Sequence, residues 1–310
     1  MNKYILKLKK QGDSMIGFIG LGRMGFHMVE RLLKHGKKVV AYNRSQEKTR
    51  EIAKKGAIPA YSIQELVNKL PGQRLIWLML PAGEPTDDMI KQLLPMLKKN
   101  DIIIDGANDF YKNAEKHRKW CDKYHVNFFD CGVSGGILGL KNGYTLMIGG
   151  PKGQFKRIEP YLKALASKNS YGYFGTVGAG HFVKSVHNII EYIYLQGLAE
   201  GAEVLSSFNQ KIDLKKATEV WGQSSIINSW LLSLANTALK RPDFDRILPQ
   251  IGSVTIDELR KTKKAVNAYA PAFDVAAKVR EDRSRKFILG KRLIAAIRNE
   301  FGGHALEKKK

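Results

Sequence analysis

The chain has 310 residues, enough for two domains with substantial cores, and 44% of it is apolar, the share of an ordinary folded protein rather than a disordered one. Its 52 lysines and arginines outnumber 29 acidic residues for a net charge of +23, which attracts anions in general; the basic residues are dispersed in pairs such as Lys37-Lys38 and Lys215-Lys216, without an aromatic-interleaved stripe, so nucleic acid is not the expected partner. No apolar run approaches the roughly 20 residues of a membrane span, and two cysteines, Cys121 and Cys131, supply neither a disulfide framework nor a metal-ligand spacing, so a cytoplasmic protein with no metal centre and no membrane contact is expected.

Residues 1-14 read as an N-terminal extension, lysine-dotted and lacking the continuous apolar stretch of a signal peptide. From Met15 the pattern alternates. Met15 to Gly20, Lys38 to Tyr42, Ala57 to Ala60, Arg74 to Leu80, Asp101 to Asp105 and Asn127 to Cys131 have strand character, with amphipathic stretches between them. Gly36 and Gly56 stand where helices should stop, and Ser62 with Glu65 has capping-box spacing. Such alternation predicts an α/β, Rossmann-type doubly wound sheet over residues 15-178. Beyond Gly178 strand signals fade, and Ala179 to Phe208, Leu214 to Gly222, Ile226 to Leu239, Ile256 to Tyr269 and Ser284 to Phe301 have helical periodicity. Residues 179-310 are therefore expected to form an all-α domain for substrate binding and dimerisation, ending in a tail.

Gly20-Leu21-Gly22-Arg23-Met24-Gly25 follows the first strand and opens a helix. In that context Gly20 makes the tight turn, Gly22 admits a pyrophosphate to the backbone, and Gly25 lets helix and strand approach. About twenty residues on, where an acidic ribose ligand would favour NAD, the second strand ends in Asn43-Arg44-Ser45. Arg44, with its polar neighbours, suits a 2′-phosphate, so NADP is the expected cofactor, with NAD possible. Leu80-Pro81-Ala82 ends the fourth strand where a loop would pass a nicotinamide.

Lys184, His187, Asn188 and Glu191 fall at i, i+3, i+4 and i+7 of the first helix of the second half. That spacing places an amine, an imidazole, an amide and a carboxyl along one helical face, the mixture a proton-moving pocket needs. Ser134-Gly135-Gly136, at the end of the sixth strand, can offer a hydroxyl and backbone amides to an anion.

In the combination of Gly20 to Gly25, Asp105-Gly106-Ala107-Asn108, Val133 to Gly136, Gly180 to Tyr192 and Arg298 to His304, the chain resembles the decarboxylating 6-phosphogluconate dehydrogenases, particularly their short bacterial form. Other β-hydroxyacid dehydrogenases share the glycine turn, the Ser-Gly-Gly loop and the lysine, but typically carry Asn-Asn where this chain has His187-Asn188. The resemblance implies oxidation of 6-phosphogluconate at C3 with hydride transfer to NAD(P), loss of carbon dioxide, and protonation to ribulose 5-phosphate. It makes Lys184 the general base and Glu191 the acid that protonates C1, with His187 and Asn188 orienting the substrate and polarising its C3 oxygen. Asn108 serves cofactor and substrate; Ser134, Gly135 and Gly136 hold the carboxylate end; Tyr192 and Arg280 meet the phosphate. Arg298 and His304 reach a neighbour's site in an implied homodimer or tetramer. No metal is implied, because a β-keto acid loses carbon dioxide once its carbonyl is polarised. For Lys184 to act as a base near neutrality its pKa must fall from about 10.4 to roughly 7 to 8, about 4 kcal/mol of desolvation or positive neighbours.

Two positions depart from the family pattern. Gly252-Ser253-Val254-Thr255-Ile256 lacks the basic phosphate contact usual there, for which Lys261, Lys263 or Lys264 could substitute, and Ile189 replaces a glycine beside Asn188. Two alternatives follow: another β-hydroxyacid dehydrogenase acting on a related sugar acid, and a non-catalytic nucleotide-sensing or nucleic-acid-binding protein on the same fold.

Overall fold

The structure, a computed structural model, describes residues 15–252, 255–284 and 286–309. The expected extension at 1-14, and Ser253 and Val254 of the departing segment, lie outside the described residues. The chain forms two compact units that divide between Lys184 and Ser185, inside a long helix rather than at the expected boundary after residue 178.

The first unit runs β1 (Met15–Ile19), α1 (Arg23–Lys34), β2 (Lys38–Tyr42), α2 (Gln46–Ala53), β3 (Ile58–Ala60), α3 (Ile63–Lys69), β4 (Leu75–Leu78), α4 (Glu84–Leu93), β5 (Ile102–Asp105), α5 (Tyr111–Asp122), β6 (Asn127–Ser134), a short α6 (Gly139–Asn142), β7 (Tyr144–Gly149), α7 (Phe155–Leu165) and β8 (Ala166–Gly175). These strands make one sheet in the order β3-β2-β1-β4-β5-β6-β7-β8. Only the β6–β7 pair is antiparallel. Every residue of β4 and β5 is buried, as expected of central parallel strands covered on both faces. One face packs on Met28, Val29 and Leu32 of α1, the other on Leu66 and Val67 of α3 and Ile90 and Leu93 of α4.

The helix ends follow the sequence signals. Gly36 takes a positive φ of 71° while Lys37 N–H returns to Leu32 O, closing α1. Ser62 Oγ accepts from Glu65 N–H at 3.0 Å to open α3. Two strands were not expected. β7 is a short run bounded by Gly143 and Gly149, and β8 is an edge strand whose polar stretch Ser167-Lys168-Asn169-Ser170 falls in a register shift and erases the apolar alternation a sequence reading depends on.

The second unit continues α8 (Ala179–Ser206) and adds α9 (Leu214–Ser224), α10 (Trp230–Leu239), α11 (Ile256–Ala265), α12 (Pro271–Glu281) and α13 (Ile288–Gly302). Leu195, Ala199 and Ala202 of α8 pack with Leu234, Ala235 and Ala238 of α10 and Leu293 to Ile297 of α13. Three expected boundaries move. α10 begins at Trp230 rather than Ile226, because Ser229 Oγ caps it by accepting Leu232 N–H. The expected helix to Tyr269 stops at Ala265, followed by Asn267 at φ 51°, and α12 then starts on Pro271. Residues 282 and 284 form a side-chain-bonded turn, so α13 starts at Ile288.

Candidate active site

The strand order reverses at β1, which lies between β2 and β4, so a crevice opens at the carboxyl ends of β1 and β4. The glycine turn sits there. Gly20 has φ 101°, and a Cβ on it would come within 2.3 Å of Met79 O at the end of β4. A Cβ on Gly25 would come within 2.0 Å of Gly20 O, whereas one on Gly22 would meet nothing within 4 Å. Two glycines are thus required by close backbone approach, and the third faces open space at the amino end of α1, where helix amides attract an anion. That cradle fits a dinucleotide pyrophosphate.

Leu21 and Asn43 brace the turn. The Leu21 side chain is buried, and its N–H donates to Asn43 Oδ1 at 2.9 Å. Asn43 in turn donates through Nδ2 to Ser45 O at 3.2 Å, so its amide is engaged in holding β1 to the end of β2. Arg44 and Ser45 are exposed beside it, as are Arg23 in the first turn of α1 and Pro81 and Ala82 after β4; Met24 and Leu80 are half-buried. Thr86 Oγ1 donates to Pro81 O at 2.7 Å, tying the β4 loop to the start of α4. Asn108 is exposed on the loop after β5.

Behind that loop Asp105 and His117 are fully buried. Burial opposes charge on both; nevertheless the Asp105 carboxyl is held below its ordinary pKa by His117, and the His117 imidazole above its own by Asp105 and Asp87.

The start of α8 is seated on β6 and β7. Buried Asp130 accepts Gly178 N–H at 2.7 Å on one carboxylate oxygen and His181 N–H at 2.8 Å on the other, placing a carboxylate on two amides at the amino end of the helix. A Cβ on Gly180 would come within 2.4 Å of Met147 O and 2.6 Å of Asp130 O, so only glycine allows the helix to lie this close. One turn later Lys184 crosses Gly132, where an added Cβ would be 2.4 Å from Lys184 Cβ. The lysine stem is therefore fixed over β6, whose end carries half-buried Ser134, Gly135 at φ 122° and Gly136 at φ 55°. The sequence reading gave Asp130, Gly132 and Gly180 no role. Their one visible signal was a lone acid and glycines within an otherwise apolar strand and a helix start.

α8 is uninterrupted through His187, Asn188 and Glu191, so the helical spacing seen in the sequence is realised. Within the second unit Asn188 is buried, and its Oδ1 lies 3.2 Å from His187 Nδ1. Glu191 is half-buried. Tyr192 is buried, with its hydroxyl 2.9 Å from Thr255 Oγ1, and the Arg280 guanidinium carbon stacks 3.3 Å from the centre of its ring. Arg280 is 2% exposed, and neither terminal nitrogen has a hydrogen-bond partner among the described residues. Burial pushes its pKa down to about 10, which leaves it cationic at neutral pH. Arg298, also buried, donates to Gly252 O, and His304 Nδ1 lies 2.8 Å from Arg298 O. Both tail residues are thus seated in their own chain's helical unit.

A glycine cradle at the switch point of such a sheet, with a lysine fixed over β6 of the same sheet, defines a dinucleotide-dependent dehydrogenase. A family model described as the NAD binding domain of 6-phosphogluconate dehydrogenase matches residues 15–175. The NAD(+)-dependent, decarboxylating 6-phosphogluconate dehydrogenase of Haloferax volcanii is 37% identical over 231 residues, covering 74% of this chain and 76% of the relative. A Bacillus subtilis protein named for 6-phosphogluconate dehydrogenase is 33% identical over 303 residues, covering 95% of this chain and 99% of its own. The chain belongs to the 6-phosphogluconate dehydrogenase family.

Longer members exist, and the match to a Saccharomyces cerevisiae decarboxylating enzyme spans 50% of that protein. Among solved structures, Plasmodium falciparum 6-phosphogluconate dehydrogenase, studied with NADP+ and with 6-phosphogluconate, superposes with a TM-score of 0.79 at 29% identity, over 86% of this chain and 61% of that one. Mycobacterium tuberculosis 3-hydroxyisobutyrate dehydrogenase shares the fold, with a TM-score of 0.73 at 20% identity over 92% of this chain and 99% of the other.

Proposed function

We propose that this protein oxidises and decarboxylates 6-phosphogluconate to ribulose 5-phosphate and carbon dioxide, using NADP, with NAD as a second acceptor. Family membership supports the reaction, and the observation that carries it is Lys184 held over Gly132 on a helix that continues through His187, Asn188 and Glu191. When bound, the nicotinamide accepts the hydride from C3. Lys184 takes the C3 hydroxyl proton as that hydride leaves, and then donates back to the C3 oxygen while the C1–C2 bond breaks and its electrons move into the enediolate. Glu191 delivers a proton to the carbon that was C2, which becomes C1 of ribulose 5-phosphate. His187 and Asn188 hold the C3 oxygen and neighbouring hydroxyls, and Asn108 with Ser134 to Gly136 receives the carboxylate end.

Arg280 stacked on Tyr192 supplies a cation and a hydroxyl for the phosphate. Its terminal nitrogens, without a hydrogen-bond partner among the described residues, support a role in anion capture. Gly20 to Gly25 and Leu80 to Ala82 line the cofactor, and Arg44 with Ser45 meets the 2′-phosphate. A homodimer is supported by apolar side chains on the helical unit that remain exposed, among them Val204, Phe208, Ile226 and Trp230. The resemblance puts Arg298 and His304 in a neighbour's site, where they would bind the partner subunit's substrate, and this remains the proposed role. No helix among the described residues is long and apolar enough to cross a membrane, and both cysteines are buried and unpaired, which supports a cytoplasmic setting.

The test is initial-rate reduction of NADP and NAD with 6-phosphogluconate and with gluconate, while carbon dioxide is measured. Stoichiometric carbon dioxide and preference for the phosphorylated acid are expected, and Lys184→Ala should abolish turnover with cofactor affinity nearly unchanged. Reduction without carbon dioxide, or equal use of gluconate, would favour the related sugar-acid dehydrogenase.

A further inference from the structure

The buried cluster behind the Asn108 loop has a geometry that dinucleotide chemistry does not use. Asp105, at the end of β5, is 0% exposed, Asp109 is 7% exposed, and His117 on α5 is 0% exposed. Each has one polar atom already engaged. Asp105 Oδ1 accepts Ala107 N–H at 2.9 Å, and Asp109 Oδ1 accepts from Phe110 N–H and Asn113 Nδ2 at 2.7 and 2.9 Å. His117 Nε2 lies 2.6 Å from Asp87 Oδ1. The remaining atoms, Asp105 Oδ2, Asp109 Oδ2 and His117 Nδ1, are buried without a hydrogen-bond partner among the described residues, and the three residues can each offer one ligand atom such that the three lie within 4.8 Å of one another. Three buried residues, each with an atom able to bind a cation, are therefore clustered within reach of one ion.

From these atoms we infer that Asp105, Asp109 and His117 form a binding site for a divalent transition-metal ion of the zinc, cobalt or manganese type. Three observations favour a metal. His117 Nδ1 and Asp105 Oδ2 are 3.5 Å apart. A charge-assisted hydrogen bond between them would close to roughly 2.7–2.9 Å, whereas two ligands bonded at about 2.0–2.2 Å to a tetrahedral ion stand roughly 3.3–3.6 Å apart. With Nε2–H donating to Asp87, Nδ1 is left as the lone-pair nitrogen; that carboxylate-to-imidazole contact is the usual outer partner of a metal-bound histidine. One imidazole and two carboxylates suit zinc, cobalt or manganese better than calcium or magnesium, which prefer oxygen alone, and the two carboxylates neutralise a divalent charge.

The ion would pin the Asp105 to Asp109 loop, and with it Asn108, to α5. It would take no part in the transfer of hydride or protons. The site uses Asp-x3-Asp-x7-His, a spacing outside the cysteine-based patterns, which is why the sequence reading expected no metal.

Tag-free full-length protein, stripped with chelator, is titrated with Co2+ and with Zn2+ and read by equilibrium dialysis, visible Co2+ absorption and tryptophan fluorescence. The Trp120 ring centre is 5.5 Å from that of His117, so Co2+ should quench it, and Trp120→Phe should remove that component. One ion per chain is expected, with affinity reduced at least tenfold in Asp109→Asn and in His117→Gln, and by about tenfold in Asp87→Asn. Retained dinucleotide binding by each variant establishes that it is folded, and the near-isosteric Asp109→Asn is the variant most secure on that point. Absence of Co2+ binding in the parent protein, or equal binding in Asp109→Asn and His117→Gln, overturns the proposal and leaves a proton on His117 as the cluster's cation. None of these readouts depends on turnover, so the result stands or falls separately from the proposed reaction.

Discussion

Arg280 and Tyr192 form a stacked pair in the helical unit, the guanidinium carbon 3.3 Å from the ring centre, with neither terminal nitrogen of the arginine hydrogen-bonded among the described residues. A buried cation without a hydrogen-bonded anion opposes folding, and the stacking energy of about 2 kcal/mol offsets only part of a penalty of several kcal/mol. On the proposed function, that cost is offset when the substrate's phosphate binds.

Arg280→Met should therefore make the ligand-free protein more stable by about 1 kcal/mol, a rise of roughly 2–4 °C in Tm. The KM for 6-phosphogluconate should rise about 10- to 100-fold, the loss of a charge-assisted contact of about 1.5–3 kcal/mol. Scanning calorimetry with and without inorganic phosphate, beside steady-state kinetics, checks both. A lower Tm with unchanged KM would make Arg280 a packing residue.

Gly132 and Lys184 give the sharpest kinetic prediction. A methyl at Gly132 would sit 2.4 Å from Lys184 Cβ, so Gly132→Ala must push the lysine and the helix start away from β6. Displacement of a base by about 1 Å costs about 100-fold in rate. We expect kcat to fall by that order while NADP binding, measured by fluorescence titration, changes less than threefold, because the glycine cradle lies at β1. Unchanged kcat would mean that Lys184 is not the proton acceptor.

Most of the nucleotide unit was legible in the sequence, because the glycine turn and the strands from β1 to β6 are local patterns whose periodicity is set by burial on both faces. β8 was not legible: Ser167 to Ser170 has the polarity of a loop and falls in a register shift, and the strand is fixed by the pairing of Ala166, Tyr171, Gly172, Tyr173 and Gly175 with β7. The helix carrying Lys184, His187, Asn188 and Glu191 was read from side-chain spacing, yet what seats it, Asp130 on the Gly178 and His181 amides, joins residues 48 and 51 positions apart, a relation no local window contains. The metal-type cluster was missed for a similar reason. Asp105, Asp109 and His117 converge only when α5 folds back on β5.

Arg44 and Asn43 separate cofactor preference from cofactor binding. Arg44 is exposed at the end of β2, whereas Asn43 is committed to Leu21 N–H. Arg44→Ala should lower kcat/KM for NADP about 10- to 100-fold, as expected for removing a guanidinium from a phosphate, and leave NAD within threefold. Asn43→Ala, by freeing the turn, should weaken both cofactors alike. Equal losses for NAD and NADP in Arg44→Ala would remove Arg44 from the 2′-phosphate site.

Acid stability of the helical unit should depend on Asp243. Arg241 donates to both of its oxygens, at 2.9 and 3.1 Å, and Lys308 lies 2.8 Å away, so the Asp243 carboxyl is held well below its ordinary pKa, first by Arg241 and then by Lys308. The same Arg241 reaches Glu300 of α13 at 2.7 Å, joining the end of α10 to the last helix. Because the folded carboxyl releases its proton at lower pH than the unfolded one, the unfolded chain binds more protons below the ordinary value of 3.8, and stability falls as pH drops through that range. Above it the contribution is complete. Asp243→Asn should therefore lower Tm at pH 7, and the gap from the parent protein should narrow steadily below about pH 4 as the parent loses what the variant never had. Thermal melts between pH 3 and pH 7 test this, and a gap that stays constant across the range would show that Asp243 contributes through packing or neutral hydrogen bonds rather than through its charge.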